Sequence, residues 1–169
     1  MRRALILSLL TCAVSSCLAE SRHDAARTEA EYFVAAYAQH YRVPVPLVRA
    51  IVERESDWRV CAVSPKGAVG LMQLMPTTAQ RLRVRDRCNI DQNVFGGVRY
   101  LAWLMRLFHN DLRLVAAAYY AGGRVIGRRG LAYRDPDVVA YVSRIRVTYL
   151  RQVESAAKLE KNTSERAVR

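Results

Sequence analysis

At 169 residues the chain is long enough for one domain with a real hydrophobic core and too short for two ordinary ones. Half of it is apolar (51%) and a quarter charged (25%), which excludes a disordered or fibrous protein. Its net charge of +12 is the unusual number and points to an anionic partner.

The chain begins with Arg2 and Arg3, an apolar run from Ala4 to Ser16, and the small-residue end Cys17-Leu18-Ala19. This order reads as an export signal over residues 1–19, cleaved after Ala19, because the run is shorter than the ~20 residues a membrane span needs. A rival reading takes Val14-Ser15-Ser16-Cys17 as a lipoprotein processing site, leaving the protein lipid-anchored through Cys17. The expected location is the periplasm. Residues 1–19 hold two basic residues and no acid, so their removal takes +12 to +10. Outside the cytoplasm that charge suits anionic wall polymer or a membrane surface, and no nucleic acid is expected. Cys61 and Cys88 remain as an even pair in an oxidising compartment. A disulfide is their natural reading, with two small buried thiols as the alternative. His23, His40 and His109 are scattered, so no metal site is expected.

Residues 20–154 read as one helical domain and residues 155–169 as a polar, disordered tail. Thr28 and Glu31 have capping-box spacing ahead of Tyr32, Phe33, Ala36 and Tyr37, one apolar helical face. Val43-Pro44-Val45-Pro46 breaks that helix, and Pro46 can sit in the first turn of a second, which carries Leu47, Val48, Ile51 and Val52 and ends near Ser56. From Asp57 to Met75 the helical period disappears among Ser64, Pro65, Gly67 and Gly70. Pro76 restarts a short helix through Leu82. Asp91 can cap a longer helix with an apolar face of Val94, Val98, Leu101, Met105 and Phe108, in which Gly96 and Gly97 imply close approach of another element. Asp111 can cap the next helix, which Gly122-Gly123 ends, and Gly127 to Gly130 reads as loop. A last helix starts near Pro136, buries Val138, Val142, Ile145 and Tyr149, and gives way to a frayed tail from Lys158.

One carboxylate stands apart. Leu47, Ile51 and Glu55 fall at successive i, i+4 steps, so Glu55 ends an apolar stripe. Glu53 lies about 200° around the helix, with Arg49 at i−4, and reads as one half of a weak surface pair. A carboxyl at the edge of a core loses solvation, which raises its pKa and can keep it protonated as a general acid. On that ground alone a satisfied core-edge glutamate is the commoner outcome.

The residues around it add more. Glu55-Ser56-Asp57-Trp58 is followed by Ala62-Val63-Ser64-Pro65-Lys66-Gly67-Ala68-Val69-Gly70-Leu71-Met72-Gln73-Leu74-Met75-Pro76. Further on come Asn89-Ile90-Asp91-Gln92-Asn93-Val94-Phe95-Gly96-Gly97-Val98-Arg99-Tyr100-Leu101, then Ala118-Tyr119-Tyr120-Ala121-Gly122 and Tyr141-Val142. In order and spacing these segments resemble the soluble lytic transglycosylase family over roughly residues 30 to 150. The resemblance implies a mainly α, lysozyme-like α+β fold: a single compact helical domain with a small irregular or β lobe beside the catalytic cleft. It assigns the acid to Glu55, places Ser64 and Tyr141 where they would orient or hydrogen-bond it, and puts Gln73 and Tyr119 along the sugar cleft. Met72 and Met75 are packing residues on this reading. Tyr120 stands where the family usually has asparagine, a loss that bears on substrate affinity or turnover, so restoring asparagine should leave activity unchanged or raise it. Cys61 sits where the family often has proline, and a bridge to Cys88 would clamp the catalytic loop to the following helix.

The chemistry so implied is cleavage of the β-1,4 bond between N-acetylmuramic acid and N-acetylglucosamine, leaving a 1,6-anhydro end, with peptidoglycan strands as partner, no cofactor, and a monomeric protein. Glycosidases commonly need two carboxyls, and here Asp57 faces elsewhere while Asp91 reads as a cap. A single glutamate suffices if the substrate supplies the nucleophile. The alternatives are a wall-binding scaffold of low or no activity and a lysozyme-type hydrolase. The family analogy further suggests local wall opening for a secretion, pilus or conjugation apparatus.

Overall fold

The computed structural model describes residues 2–167, with side chains over residues 22–165 except Leu131 and Asn162. Seven helices are present among the described residues: α1 (Arg2–Tyr41), α2 (Val45–Ser56), α3 (Pro76–Arg81), α4 (Ile90–Leu107), α5 (Leu112–Ala121), α6 (Gly123–Arg129) and α7 (Pro136–Ala167). A single 3-10 turn, Gly130–Ala132, leads into α7.

The mainly helical architecture follows the apolar stripes. Ala30, Val34 and Ala38 of α1 pack with Leu47, Val48, Ile51 and Val52 of α2. Val94, Val98, Leu101 and Leu104 of α4, Val115 to Ala118 of α5, and Val138, Tyr141 and Ile145 of α7 complete one core. Helix α1 lies against α4 and α2, while α7 lies against α2 and α5. Side chains repeating at three and four residues bury one face of each helix, and burial of that kind supplies most of the stability.

Residues 57–75 form the small irregular lobe. Its only β-bridges, among the described residues, join Val63 to Val69 and Val69 to Leu74. Leu71 and Met72 enter the main core, whereas Leu74 joins Ala79 and Val84 in a satellite cluster. The two glycines of α4 admit this lobe: a Cβ on Gly97 would lie 2.8 Å from Met72 Cβ, closer than carbon atoms approach.

Several boundaries differ from the sequence reading. Helix α1 does not start at Thr28, whose hydroxyl donates back to the Asp24 carbonyl at 2.9 Å as a residue inside a helix. The cap of α4 is Asn89 rather than Asp91: its side chain accepts from the Gln92 amide, and Asp91 sits in the first turn. Asp111 caps α5 as expected, accepting from the Arg113 amide. Gly127 lies within α6 instead of a loop, because Gly122 breaks α5 and a new helix starts at once, burying Ile126. Helix α7 continues past Lys158 to Ala167, where alanine, lysine and glutamate favour helix without needing a core. The cleavage site after Ala19 and the alternative anchor Cys17 lie outside the residues with described side chains. Among the described residues no helix is long and apolar enough to cross a membrane.

Candidate active site

Glu55 occupies the last turn of α2, where the chain must leave the helix sharply. Asp57 and Trp58 are both left-handed, with φ of 51° and 63°. For a bulky residue that conformation is costly and persists only where surroundings enforce it. Two anchors do so. Trp58 is buried, with the Arg27 guanidinium 4.9 Å above its ring, and buried Ser56 donates its hydroxyl to the Val52 carbonyl at 3.1 Å. Glu55 is thereby held at the edge of the core while Asp57 points into solvent.

The Tyr141 hydroxyl, from α7, donates to Glu55 Oε1 at 2.6 Å. Burial pushes the Glu55 carboxyl above its ordinary pKa, and the Tyr141 hydrogen bond and the Arg54 charge oppose that rise without cancelling it. Tyr141 itself is pushed well above the ordinary tyrosine value, first by burial and then by the Glu55 charge, so it stays a donor. Asp91 is occupied elsewhere, accepting from the Tyr37 hydroxyl, which raises Tyr37 to about 12.

Glu53 has a different partner from the one expected. Arg49 bonds Glu31 through Nε at 2.8 Å, and Glu53 pairs with Arg151 of α7. The helix spacing had made Arg49 available, but α1 and α7 bring competing charges to either side of α2.

The remaining site residues divide. Tyr119 lies beside the site: its hydroxyl donates to the Met72 carbonyl at 2.7 Å, and burial first, then the Glu55 charge, pushes its pKa up. Gln73, with φ of 47°, donates from Nε2 to the carbonyls of Ala62 (2.8 Å) and Gly70 (3.0 Å), so its amide nitrogen braces the lobe. The Ser64 hydroxyl accepts from the Ala68 amide at 3.0 Å, closing a turn with the Ser64 amide and Ala68 carbonyl. Among the described residues the hydrogen bond to Glu55 comes from Tyr141 and not from Ser64.

Two contributions were not foreseen from the sequence, a clamp by Asn93 and a ring contact by Tyr120. Buried Asn93 of α4 clamps the lobe: Oδ1 accepts from the Met72 amide at 2.8 Å, and Nδ2 donates to the carbonyls of Val69 (3.0 Å) and Arg87 (2.8 Å). Gly70, at φ +91°, leaves room for it, since a Cβ there would come within 2.6 Å of Asn93 Cγ. Tyr120 is the second. Its exposed ring lies 4.8 Å from that of Tyr141, tilted by 30°, and so covers the tyrosine that holds Glu55. Nothing in the sequence marks Asn93 as buried or Tyr120 as stacked, because both depend on packing between helices.

Cys61 and Cys88 are joined, with Cα atoms 4.6 Å apart, and close a loop of 27 residues. The bridge ties the lobe to the segment entering α4. Arg87 reinforces it, donating from Nη1 to the carbonyls of Gly67 (2.7 Å) and Leu74 (3.0 Å).

A helical domain with a short irregular lobe and a glutamate at the end of the helix facing it defines the lysozyme-like class. The chain belongs to the transglycosylase SLT domain family, whose model matches residues 32–137. It is 35% identical over 101 residues to a membrane-bound lytic murein transglycosylase F from Pasteurella multocida, covering 54% of this chain and 20% of that protein. Its fold resembles an inactive glutamate-to-glutamine mutant of the lytic transglycosylase Slt from Pseudomonas aeruginosa, with a TM-score of 0.61 at 23% identity over 70% of this chain and 22% of that one. The 70 kDa soluble lytic transglycosylase from Escherichia coli is similar, with a TM-score of 0.56 at 23% identity over 69% of this chain and 22% of that one. The chain thus spans about a fifth of the length of these relatives.

Proposed function

We propose that this protein is a periplasmic peptidoglycan lytic transglycosylase in which Glu55 is both acid and base. The observation that carries this reading is a carboxyl whose pKa burial raises, with Tyr141 as its hydrogen-bond partner and no second carboxylate beside it among the described residues. Protonated Glu55 donates to the glycosidic oxygen, and the departing N-acetylglucosamine leaves as an alcohol. The substrate's own acetamido oxygen captures the anomeric carbon of the muramoyl residue. Glu55, now a carboxylate, takes the proton of the muramoyl 6-hydroxyl as that oxygen closes on the anomeric carbon and expels the acetamido oxygen. The glutamate ends protonated, as it began.

In this scheme Tyr141 holds the carboxyl in place, Tyr119 fixes the Met72 carbonyl at the floor of the cleft, and Gln73 and Ser64 keep the lobe in shape. A narrower role, local wall opening for a secretion, pilus or conjugation apparatus, rests on family analogy. A deletion strain that still assembles every such apparatus would remove it.

Glu55→Gln should keep the fold and lose about a thousandfold or more in turnover of purified peptidoglycan, since general acid–base work is worth roughly that much. Glu53→Gln should cleave nearly as the parent does, because it disturbs only a surface pair. The reverse pattern would overturn the assignment.

A further inference from the structure

Helix α7 outlasts the core it serves. Its last buried side chain among the described residues is Ile145, yet the helix runs on to Ala167. On a second face Ser143, Arg146, Leu150, Val153 and Ala157 recur at steps of three and four, the 3.5-residue repeat with which one helix seats against another. All five are exposed, and Val147, Leu150 and Val153 leave 67%, 47% and 38% of their surface open. A row of apolar side chains facing water gains stability from any partner that covers it. By helix geometry Tyr141 lies about 180° around α7 from Leu150, so the row is separate from the tyrosine that holds Glu55.

A groove of about 440 Å³ runs beside the row and shares Arg146 and Leu150 with it. Its floor is apolar, from buried Leu47 of α2, Ala116 of α5 and Ile145 of α7, and Leu112, Val142 and Tyr149 form the walls. Arg113 and Arg146 stand at its rim, and no acidic residue lines it among the described residues. Arg113 is answered by Asp111, whereas Arg146 takes part in none of the ion pairs among the described residues. Glu154, about two turns further along α7, takes part in none either.

These charges select the occupant. Between Asp137 and Glu154, α7 carries Arg144, Arg146 and Arg151 and no acid. A second α7 laid parallel would set Arg146 against Arg146. Laid antiparallel and crossing at Leu150, it sets Leu150 on Leu150, Val147 on Val153, Ser143 on Ala157 and Arg146 on Glu154, so one two-fold axis matches both apolar and charged positions. Val153 and Ala157 of the second copy then lie over the groove. The matched length, Ser143 to Ala157, is about 21 Å.

We propose that this face of α7 pairs two copies of the protein, antiparallel about Leu150, where the sequence reading expected a monomer. The pairing stands apart from the glycan-cleaving reading of Glu55.

Sedimentation equilibrium over a concentration series tests it. The parent should dimerise with a dissociation constant of about 10 μM, in keeping with a modest interface. Leu150→Glu, which brings two carboxylates together at the axis, should raise that constant about a hundredfold. Arg146→Glu and Glu154→Arg should each raise it about tenfold, because each sets like charges together at two places. Mixing these two single variants should restore the parent's affinity, and so should combining both changes in one chain, since opposite charges then meet again. Circular dichroism establishes that each variant is as helical as the parent. A parent that stays monomeric up to about 1 mM would overturn the inference. So would a dimer that survives Leu150→Glu, or charge reversals whose effects do not cancel.

Discussion

In the proposed reaction Glu55 must be protonated at the start, and burial, which raises its pKa, sets the pH up to which it is. The working protein should therefore lose activity as pH rises through that raised value, giving the alkaline limb of its profile. Tyr141 acts in the other direction: its hydroxyl favours the carboxylate and holds the limb lower. Tyr141→Phe should move the alkaline limb of kcat/KM to higher pH while lowering kcat about tenfold through poorer positioning. A limb displaced to lower pH would contradict the hydrogen bond's assigned role. Tyr120 follows from the same geometry. Its ring, not its hydroxyl, lies over Tyr141, so Tyr120→Phe should retain activity, and Tyr120→Asn should lower kcat/KM about threefold to tenfold through the lost ring contact. That reverses the expectation drawn from the family's asparagine, and an asparagine variant as active as the parent would restore it.

At the level of elements, the lobe beside Glu55 has almost no ladder of its own and depends on what α4 supplies. Asn93→Ala would strand the Met72 amide and two carbonyls in a buried place, at about 3 kcal/mol. Denaturant midpoints should fall accordingly, and cleavage should fall with them because Met72 carries the carbonyl that Tyr119 holds. A variant of unchanged stability would mean the clamp is dispensable. Elements whose shape is set by local pattern were legible in the sequence: the stripe Leu47, Ile51, Glu55 located α2 and singled out its glutamate, and Gly96-Gly97 announced a close approach that Met72 makes. Elements decided by tertiary competition were not. Asn93 reads as an ordinary polar position on a helix, α6 is hidden by its glycines, and the partner of Arg49 changes once α1 lies alongside. The aromatic stack over Tyr141 is invisible for the same reason, since α5 and α7 meet only in the folded chain.

On the scale of the molecule, one core joins six helices and the lobe is fastened to it from outside. The Cys61–Cys88 bridge closes 27 residues, which the chain-entropy model values at about 3.5 kcal/mol. It fixes the lobe against the segment entering α4, which in the proposed function would leave the cleft largely formed before a strand enters. A preformed cleft with one carboxyl favours capture of the anomeric carbon by the substrate's own hydroxyl over attack by water, because no second base is placed to activate that water. The most direct measurement is mass analysis of peptidoglycan digested in heavy-oxygen water. Fragments should end in 1,6-anhydro-N-acetylmuramic acid, unlabelled and ~18 Da lighter than hydrolysis products. Predominantly labelled reducing ends would contradict the mechanism and require a second base near Glu55.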